Sequence, residues 1–120
     1  SLDYPDFLIA SSEWFAFVPA KEYFDEPGDH ADELETSVMM HYHPELVNLD
    51  EAGNGDYKKF TSQMLNEKVA WIPRNWQKVS QDTGIGNPKK ASAEKGKKYA
   101  EAVVAKYALL FEELVHKELY

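Results

Sequence analysis

Residues 92–118, SAEKGKKYAEAVVAKYALLFEELVHKE, carry the longest helical pattern in the chain and define its main structural element. Ser92 is a residue type that caps helix N-termini, and the apolar residues after it recur every three or four positions. The pattern predicts an amphipathic helix about 40 Å long at roughly 1.5 Å per residue. Gly96 inside it costs about 1 kcal/mol relative to alanine, so we expect another element to pack closely there. The predicted apolar stripe comprises Gly96, Tyr99, Ala100, Val103, Val104, Tyr107, Leu110, Phe111, Leu114 and Val115. On the opposite, solvated face we expect three lysines, namely Lys95, Lys97 and Lys98.

A second, shorter amphipathic helix is predicted upstream, after the turn signal at residues 27–29. Asp32 and Glu33 would lie in its first turn, where acidic side chains complement the helix dipole. His43 precedes Pro44, which should end the helix near that point. Its apolar face is expected to comprise Ala31, Leu34, Val38 and Tyr42.

A short run that is apolar on both faces, Phe7–Ala10, predicts a buried strand of a parallel or mixed sheet. Val69–Ile72 is a comparable candidate, and Trp76–Val79 is a weaker one. A buried strand needs neighbours on both edges, and the chain offers few of them. We therefore predict an α/β protein whose partner strands lie outside residues 1–120.

The composition excludes several classes of function. The chain has 120 residues, with 13 Lys and Arg against 21 Asp and Glu, which gives a net charge of −8. Nucleic-acid binders and proteins that dock on anionic membranes need a basic face, so neither partner is expected. No apolar run approaches the roughly 20 residues that span a bilayer. Cysteine is absent from the sequence, which excludes disulfides and thiolate metal sites and is consistent with a cytoplasmic protein.

His30 is the candidate for proton transfer among the four histidines. It is predicted to stand at a helix N-terminus, where the dipole disfavours the imidazolium and tunes the ring toward proton transfer near neutral pH. Glu35 follows five residues later and is expected to point toward the apolar face of the helix. Glu35 is interpreted either as a group that acts with His30 or as a capping acid or structural ion pair. The remaining histidines, His41, His43 and His116, lack the spacing of a metal site and are expected at or near the surface.

Two other features of the sequence bear on ligand binding, a tryptophan and a glycine-containing loop. Trp14 follows the predicted strand, and open α/β sheets bind ligands beyond the carboxyl ends of their strands, so Trp14 is a candidate pocket wall. The segment Gly84-x-Gly86 superficially resembles a phosphate loop. It lacks a Gly-Lys-Ser/Thr ending and a preceding apolar strand, which favours a connecting loop.

Three blocks of sequence resemble the creatininase (creatinine amidohydrolase) family. The first is residues 28–37, GDHADELETS, which continues to the segment PELV at residues 44–47. The second comprises TGIGNP at residues 83–88 and ASAEKG at residues 91–96. The third is the predicted strand that ends near Trp14. The resemblance covers nearly all of the chain but only the C-terminal half of the family.

The resemblance implies a fold and a chemistry for residues 1–120. The expected fold is the C-terminal half of a three-layer α/β/α sandwich with a mostly parallel sheet, forming part of a single domain. The implied enzyme hydrolyses the C–N bond of a small amide with two divalent metal ions, zinc or manganese. The family's metal-ligand motifs lie in the half that is absent here, so no metal ligand is expected in this chain.

The resemblance also assigns roles to individual residues. His30 matches a pocket histidine that donates a proton or stabilises the transition state, and Glu35 matches an acidic helix position that steers a ligand or His30. Trp14 matches a tryptophan that lines the substrate pocket. The whole enzyme is expected to be a cytoplasmic homo-oligomer, a hexamer by resemblance.

One departure from the family bears on the substrate. Creatinine-specific members carry a tryptophan four residues before the histidine, where this chain has Glu26. One alternative is therefore a family relative that acts on a formamide or peptide amide. A second alternative, which the long apolar stripe from Gly96 to Val115 also fits, is a non-enzymatic acidic module that docks through its long helix.

Overall fold

The computed structural model of the chain describes residues 8–118 and 120. Two helices dominate it: α1, Glu33–Tyr42, and the long helix near the C-terminus, Ala93–His116. Two single-turn helices lie between them, α2 at Gln63–Asn66 and α3 at Trp76–Val79, so the long helix is α4. Short 3-10 turns at Ala20–Glu22, Pro44–Leu46 and Leu49–Glu51 shape the connections.

Helix α4 confirms the predicted amphipathic helix and its cap. Ser92 is the N-cap, and its side chain accepts a hydrogen bond from the backbone N–H of Lys95. The close approach expected at Gly96 is present, because a Cβ at that position would lie 1.9 Å from the backbone oxygen of Ser37 in α1. The two helices therefore meet backbone to backbone at Gly96, where only glycine fits.

The core forms where α1 and α4 meet the segment before α1. Tyr99 of α4 is fully buried, and its hydroxyl donates to the backbone oxygens of Phe15 and Val18, each at 3.1 Å. Burial raises the pKa of Tyr99, so the phenol stays protonated and keeps its role as donor. The buried cluster consists of Val18, Phe24, Leu34, Tyr99 and Val103.

Only the first half of the predicted α4 stripe is buried. Gly96, Tyr99, Ala100 and Val103 are buried, whereas the apolar residues further along the helix are largely exposed. Phe111 is 62% exposed and Val115 is 75% exposed. Among the described residues, no helix has both the length and the apolarity required to cross a membrane.

The predicted strands do not appear in the described part of the chain. Leu8–Ala10 has no regular secondary structure, and Ile9 is 80% exposed; Phe7 lies outside the described residues. Val69–Ile72 is also irregular and exposed, and Trp76–Val79 is helical. A strand needs a neighbour to bond its backbone, and residues 8–118 provide only two isolated antiparallel bridges, His30 with Ile85 and Tyr57 with Ser80. The expected sandwich sheet is therefore not seen in the described part of the chain.

Candidate active site

A tight turn before α1 presents His30. The backbone N–H groups of Asp29 and His30 donate to the oxygen of Ile85 at 2.8 and 3.1 Å, and the N–H of Ile85 donates back to His30 at 2.8 Å. Gly28 allows this pairing, because a Cβ there would lie 2.5 Å from the oxygen of Ile85. The loop 83–88, which we predicted only to connect elements, thus fixes the backbone of His30.

The start of α1 differs from the prediction by two residues. The helix begins at Glu33, and Asp32 is its N-cap, accepting from the N–H of Glu35 at 2.9 Å. Asp32 also accepts from the N–H of Gly28, which ties the cap to the turn. His30 therefore precedes the helix, with Ala31 between it and the cap. Ala31 has a φ of +49°, which is a strained conformation for alanine. Such a conformation persists where the surrounding contacts hold the backbone in place.

The imidazole of His30 lies between Glu35 and Trp76. Its Nδ1 is 3.6 Å from Oε2 of Glu35, which is too long for a hydrogen bond but within reach of an ion pair when the ring is protonated. The Trp76 ring lies 5.1 Å from the imidazole at an interplanar angle of 50°. The His30 side chain remains 45% exposed, so a small molecule can reach the ring.

Trp76 is held beside His30 by a second ion pair. Arg74 lies 5.5 Å over the Trp76 ring, and its guanidinium bonds Oδ2 of Asp29 at 2.7 Å. The sequence did not reveal this contact, because Trp76 lies far from His30 in the chain and its segment was predicted to be a strand. No local pattern signals a contact of that sequence separation.

Glu35 also lines an open groove of about 490 Å³ that contains Trp14. The Glu35 carboxylate accepts from the N–H of Ala31 at 2.6 Å, so it ties the turn before α1 to the helix as well as facing His30. Trp14 is half-buried and packs edge-on against Tyr99, with ring centroids 6.3 Å apart. Glu35 is thus common to both arrangements: it faces His30 on one side and lines the Trp14 groove on the other. The groove does not include His30 among its lining residues.

A partly buried group of ion pairs joins α4 to α1 and to the segment before α1, and it corrects one expectation. Lys95 does not lie on the solvated face of α4; its Nζ bonds the fully buried carboxylate of Glu33 at 2.5 Å and Asp25 at 2.8 Å. Glu33 also accepts from the N–H of Glu26 at 2.6 Å. The hydrogen bonds to Asp25 and Glu33 raise the pKa of Lys95 and keep it charged. Glu33 lies in the first turn of α1, as predicted, and it also joins α1 to α4 and to the segment before His30.

The other sequence candidates lie apart from this arrangement. His41 packs against Tyr42 in a tilted arrangement with ring centroids 4.6 Å apart, and Nδ1 of His43 lies 3.2 Å from Glu45. Glu26, at the position where creatinine-specific relatives carry tryptophan, bonds Lys90 at 2.7 Å, and this bond lowers the pKa of Glu26. Within residues 8–118 and 120, no three His, Asp or Glu side chains are grouped so as to hold a metal ion.

Comparison with known proteins identifies the class to which this fold and site belong. The family model for creatininase, creatinine amidohydrolase, matches residues 6–111, and the chain belongs to that family. A solved structure from Bacteroides fragilis NCTC 9343, provisionally described as a creatinine amidohydrolase, is 59% identical with a TM-score of 0.90. The chain therefore has a creatininase-like fold. The match covers 99% of this chain and 47% of that one, so this chain spans about half its length. Among proteins with curated descriptions, none matches.

Proposed function

We propose that this chain is part of a metal-dependent amidohydrolase that cleaves the C–N bond of a small amide, open-chain or cyclic such as creatinine. Membership of the creatininase family and the 59% identical neighbour support hydrolysis of an amide. The observation that carries the proposal is the position of Glu35, which faces the exposed imidazole of His30 and also lines the Trp14 groove.

In this proposal His30 protonates or stabilises the leaving nitrogen of the amide. Glu35 faces Nδ1, which leaves Nε2 as the ring nitrogen available to substrate. The carboxylate of Glu35, 3.6 Å from Nδ1, holds the ring in the orientation from which His30 donates a proton. Because the ring packs against Trp76 and the His30 backbone is bonded to Ile85, the donor is held in place before substrate arrives.

Trp14 is proposed to form the wall of the substrate pocket, because its half-buried indole lines the groove shared with Glu35. A flat cyclic amide would find no aromatic platform at residue 26, because Glu26 is engaged with Lys90. The second candidate function is therefore that of a family relative that hydrolyses a formamide or a peptide amide.

The metal ions of the proposed enzyme do not fit the residues described here. His43 and Glu45 form a pair without a third donor, and no grouping of three donors exists within the described ranges. Two divalent ions, zinc or manganese, would need ligands from outside residues 1–120. The roles proposed for His30, Glu35 and Trp14 therefore concern proton transfer and binding alone.

We further propose that residues 1–120 form the C-terminal part of a single creatininase-like domain. Support comes from the 47% coverage of the solved relative and from apolar side chains that the described residues leave uncovered, such as Ile9, Phe111 and Val115. Large exposed apolar patches mark surfaces that another segment covers. The complete protein is proposed to be a cytoplasmic homo-oligomer, a hexamer by family resemblance.

An activity screen tests the proposal. The complete protein, supplied with Zn²⁺ or Mn²⁺, should hydrolyse at least one member of a panel that contains creatinine, formamides and short peptide amides. A Glu35→Gln variant keeps the side-chain shape but removes the charge that faces His30, so turnover should fall while the thermal midpoint changes little. Absence of hydrolysis across the panel would contradict the proposal.

The non-enzymatic alternative rests on the exposed half of α4, which could dock onto another protein. An autonomous docking module should fold cooperatively as the isolated 120-residue chain, whereas part of a larger domain should not. Urea unfolding of the isolated chain, followed by circular dichroism, separates the two. A sharp, two-state transition with no hydrolytic activity in the complete protein would favour the docking module.

A further inference from the structure

A second cleft, of about 420 Å³, is lined by both members of the Asp29–Arg74 ion pair. The rest of its lining comes from the segment 57–79, which follows α1 and its 3-10 turns, and from Ile85. None of the three side chains proposed to act on the amide, those of His30, Glu35 and Trp14, lines it. The cleft is therefore a candidate for a binding role separate from that of the His30 site.

The cleft is basic although the chain carries a net charge of −8. Four cationic side chains line it, Lys58, Lys59, Lys68 and Arg74, against the single carboxylate of Asp29. Arg74 is satisfied by Asp29 at 2.7 Å. For the three lysines, no carboxylate of the described ranges lies within ion-pair distance. Cations gathered in a concave surface raise the local concentration of anions.

Aromatic side chains stand beside these lysines. Trp71 lines the cleft and is 82% exposed, and Tyr57 is 46% exposed. An indole exposed to that degree loses apolar contact with water when a flat group stacks on it, which is a favourable change. The lining thus combines positive charge with aromatic surfaces, the combination that recognises a planar anion.

We propose that this cleft binds a carboxylate or similar small anion that is attached to a flat or aromatic group. The anion pairs with Lys58, Lys59 and Lys68, and the flat group stacks on Trp71. The ligand is either the far end of the amide substrate or a separate effector, and the binding itself does not depend on the proposed hydrolysis.

Benzoate is the probe, and benzyl alcohol is its neutral counterpart. Ligand-observed NMR titration of the complete protein should detect benzoate binding, and benzyl alcohol should bind more weakly. Raising the salt concentration from about 0.1 M to about 1 M, which shortens the Debye length from roughly 10 Å to roughly 3 Å, should weaken the binding of benzoate. Salt-independent binding, or equal binding of both probes, would overturn the proposal.

A matched pair of variants locates the site. The double variant Lys58→Gln/Lys68→Gln should weaken benzoate binding by about twofold to thirtyfold, the range expected for two exposed ion pairs. The control Lys21→Gln/Lys106→Gln removes the same charge from exposed lysines outside the cleft and should leave binding unchanged. Equal effects of the two variants, or no detectable binding by the unmodified protein, would overturn the proposal.

Kinetics then identify the source of the anion. If the complete protein is active on a neutral amide, benzoate that raises KM alone assigns the anion to the substrate. Any other kinetic response assigns it to a separate ligand. The titration does not use turnover, so an inactive protein that still binds benzoate would refute the proposed hydrolysis and leave the cleft proposal standing.

Discussion

Substituting Gly96 by alanine tests the packing that holds the two main helices together. The added Cβ would lie 1.9 Å from the oxygen and 2.3 Å from the carbon of the Ser37 carbonyl, whereas ordinary contact begins at 3.4 Å. Both neighbours are backbone atoms and cannot rotate away. Helices α1 and α4 must therefore separate by about 1.5 Å, the difference between 1.9 and 3.4 Å. This movement would stretch the 3.1 Å hydrogen bond from the N–H of Ser92 to Oγ of Ser37.

The expected magnitude follows from opposing effects. Overpacking costs typically 1–3 kcal/mol, and contact with rigid backbone places this case near about 3 kcal/mol. The higher helix propensity of alanine relative to glycine offsets about 1 kcal/mol of this cost. The separation also loosens the packing around the buried Tyr99. Exposing slightly more than one methylene group's worth of apolar surface there destabilises the fold by roughly 1 kcal/mol more. We expect a net loss of about 3 kcal/mol in the free energy of unfolding.

Thermal and urea unfolding of the complete protein measure this loss. In a protein of about 150–250 residues, a loss of about 3 kcal/mol in the free energy of unfolding lowers Tm by roughly 6–12 °C. The control is Ala105→Gly, an exposed position of the same helix, which reports the propensity difference alone at about 1 kcal/mol. A Gly96→Ala variant as stable as the unmodified protein, or more stable, would refute the close contact between α1 and α4.

Three further outcomes follow from the ion pairs and the histidines. Lys95→Met leaves the buried carboxylate of Glu33 without its cation and should cost about 1–3 kcal/mol in urea unfolding, whereas Lys97→Met on the solvated face should cost little. The hydrogen bond from Lys95 lowers the pKa of Asp25 below 3.8, so the stability that this pair contributes is present above that pH and is lost as the pH falls through the lowered pKa. The stability difference between the unmodified protein and Lys95→Gln should therefore shrink in acid; a constant difference would contradict the pairing. Calorimetric titration of the isolated chain with Zn²⁺ or Mn²⁺ should detect no tight site, because no spacing of its His, Asp and Glu residues forms a ligand set, and a stoichiometric sub-micromolar site would show that interpretation to be wrong.

The helices could be predicted because their signals are local. Ser92, the apolar period after it and the glycine at position 96 lie within one stretch of chain, and the structure confirms all three. The strands were predicted from apolar runs alone, and such runs report burial in a complete fold without specifying which backbone pairs with them. Leu8–Ala10 has no pairing partner among the described residues, so the run remains irregular and exposed.

The surroundings of the candidate site were less predictable, because they depend on contacts distant in sequence. His30 was singled out for a position at a helix N-terminus, whereas α1 begins at Glu33 with Asp32 as its N-cap, and contacts with Ile85 and Trp76 fix the position of His30. Lys95 was placed in solvent because its neighbours in sequence are solvated, and no periodicity revealed that Glu33 faces it.

Turnover of a His30→Asn variant tests the central claim most directly, with His41→Asn as the matched control. Both substitutions remove an imidazole near the same helix, but only His30 faces Glu35 and packs against Trp76. In the complete protein, on the most active amide of the panel, His30→Asn should lower kcat by about 10²–10⁴, the usual loss for a positioned proton donor. His41→Asn should retain activity, and thermal unfolding of both variants excludes a folding defect. If His30→Asn keeps turnover within about threefold, far short of that range, or if His41→Asn loses more, the assignment of His30 is contradicted.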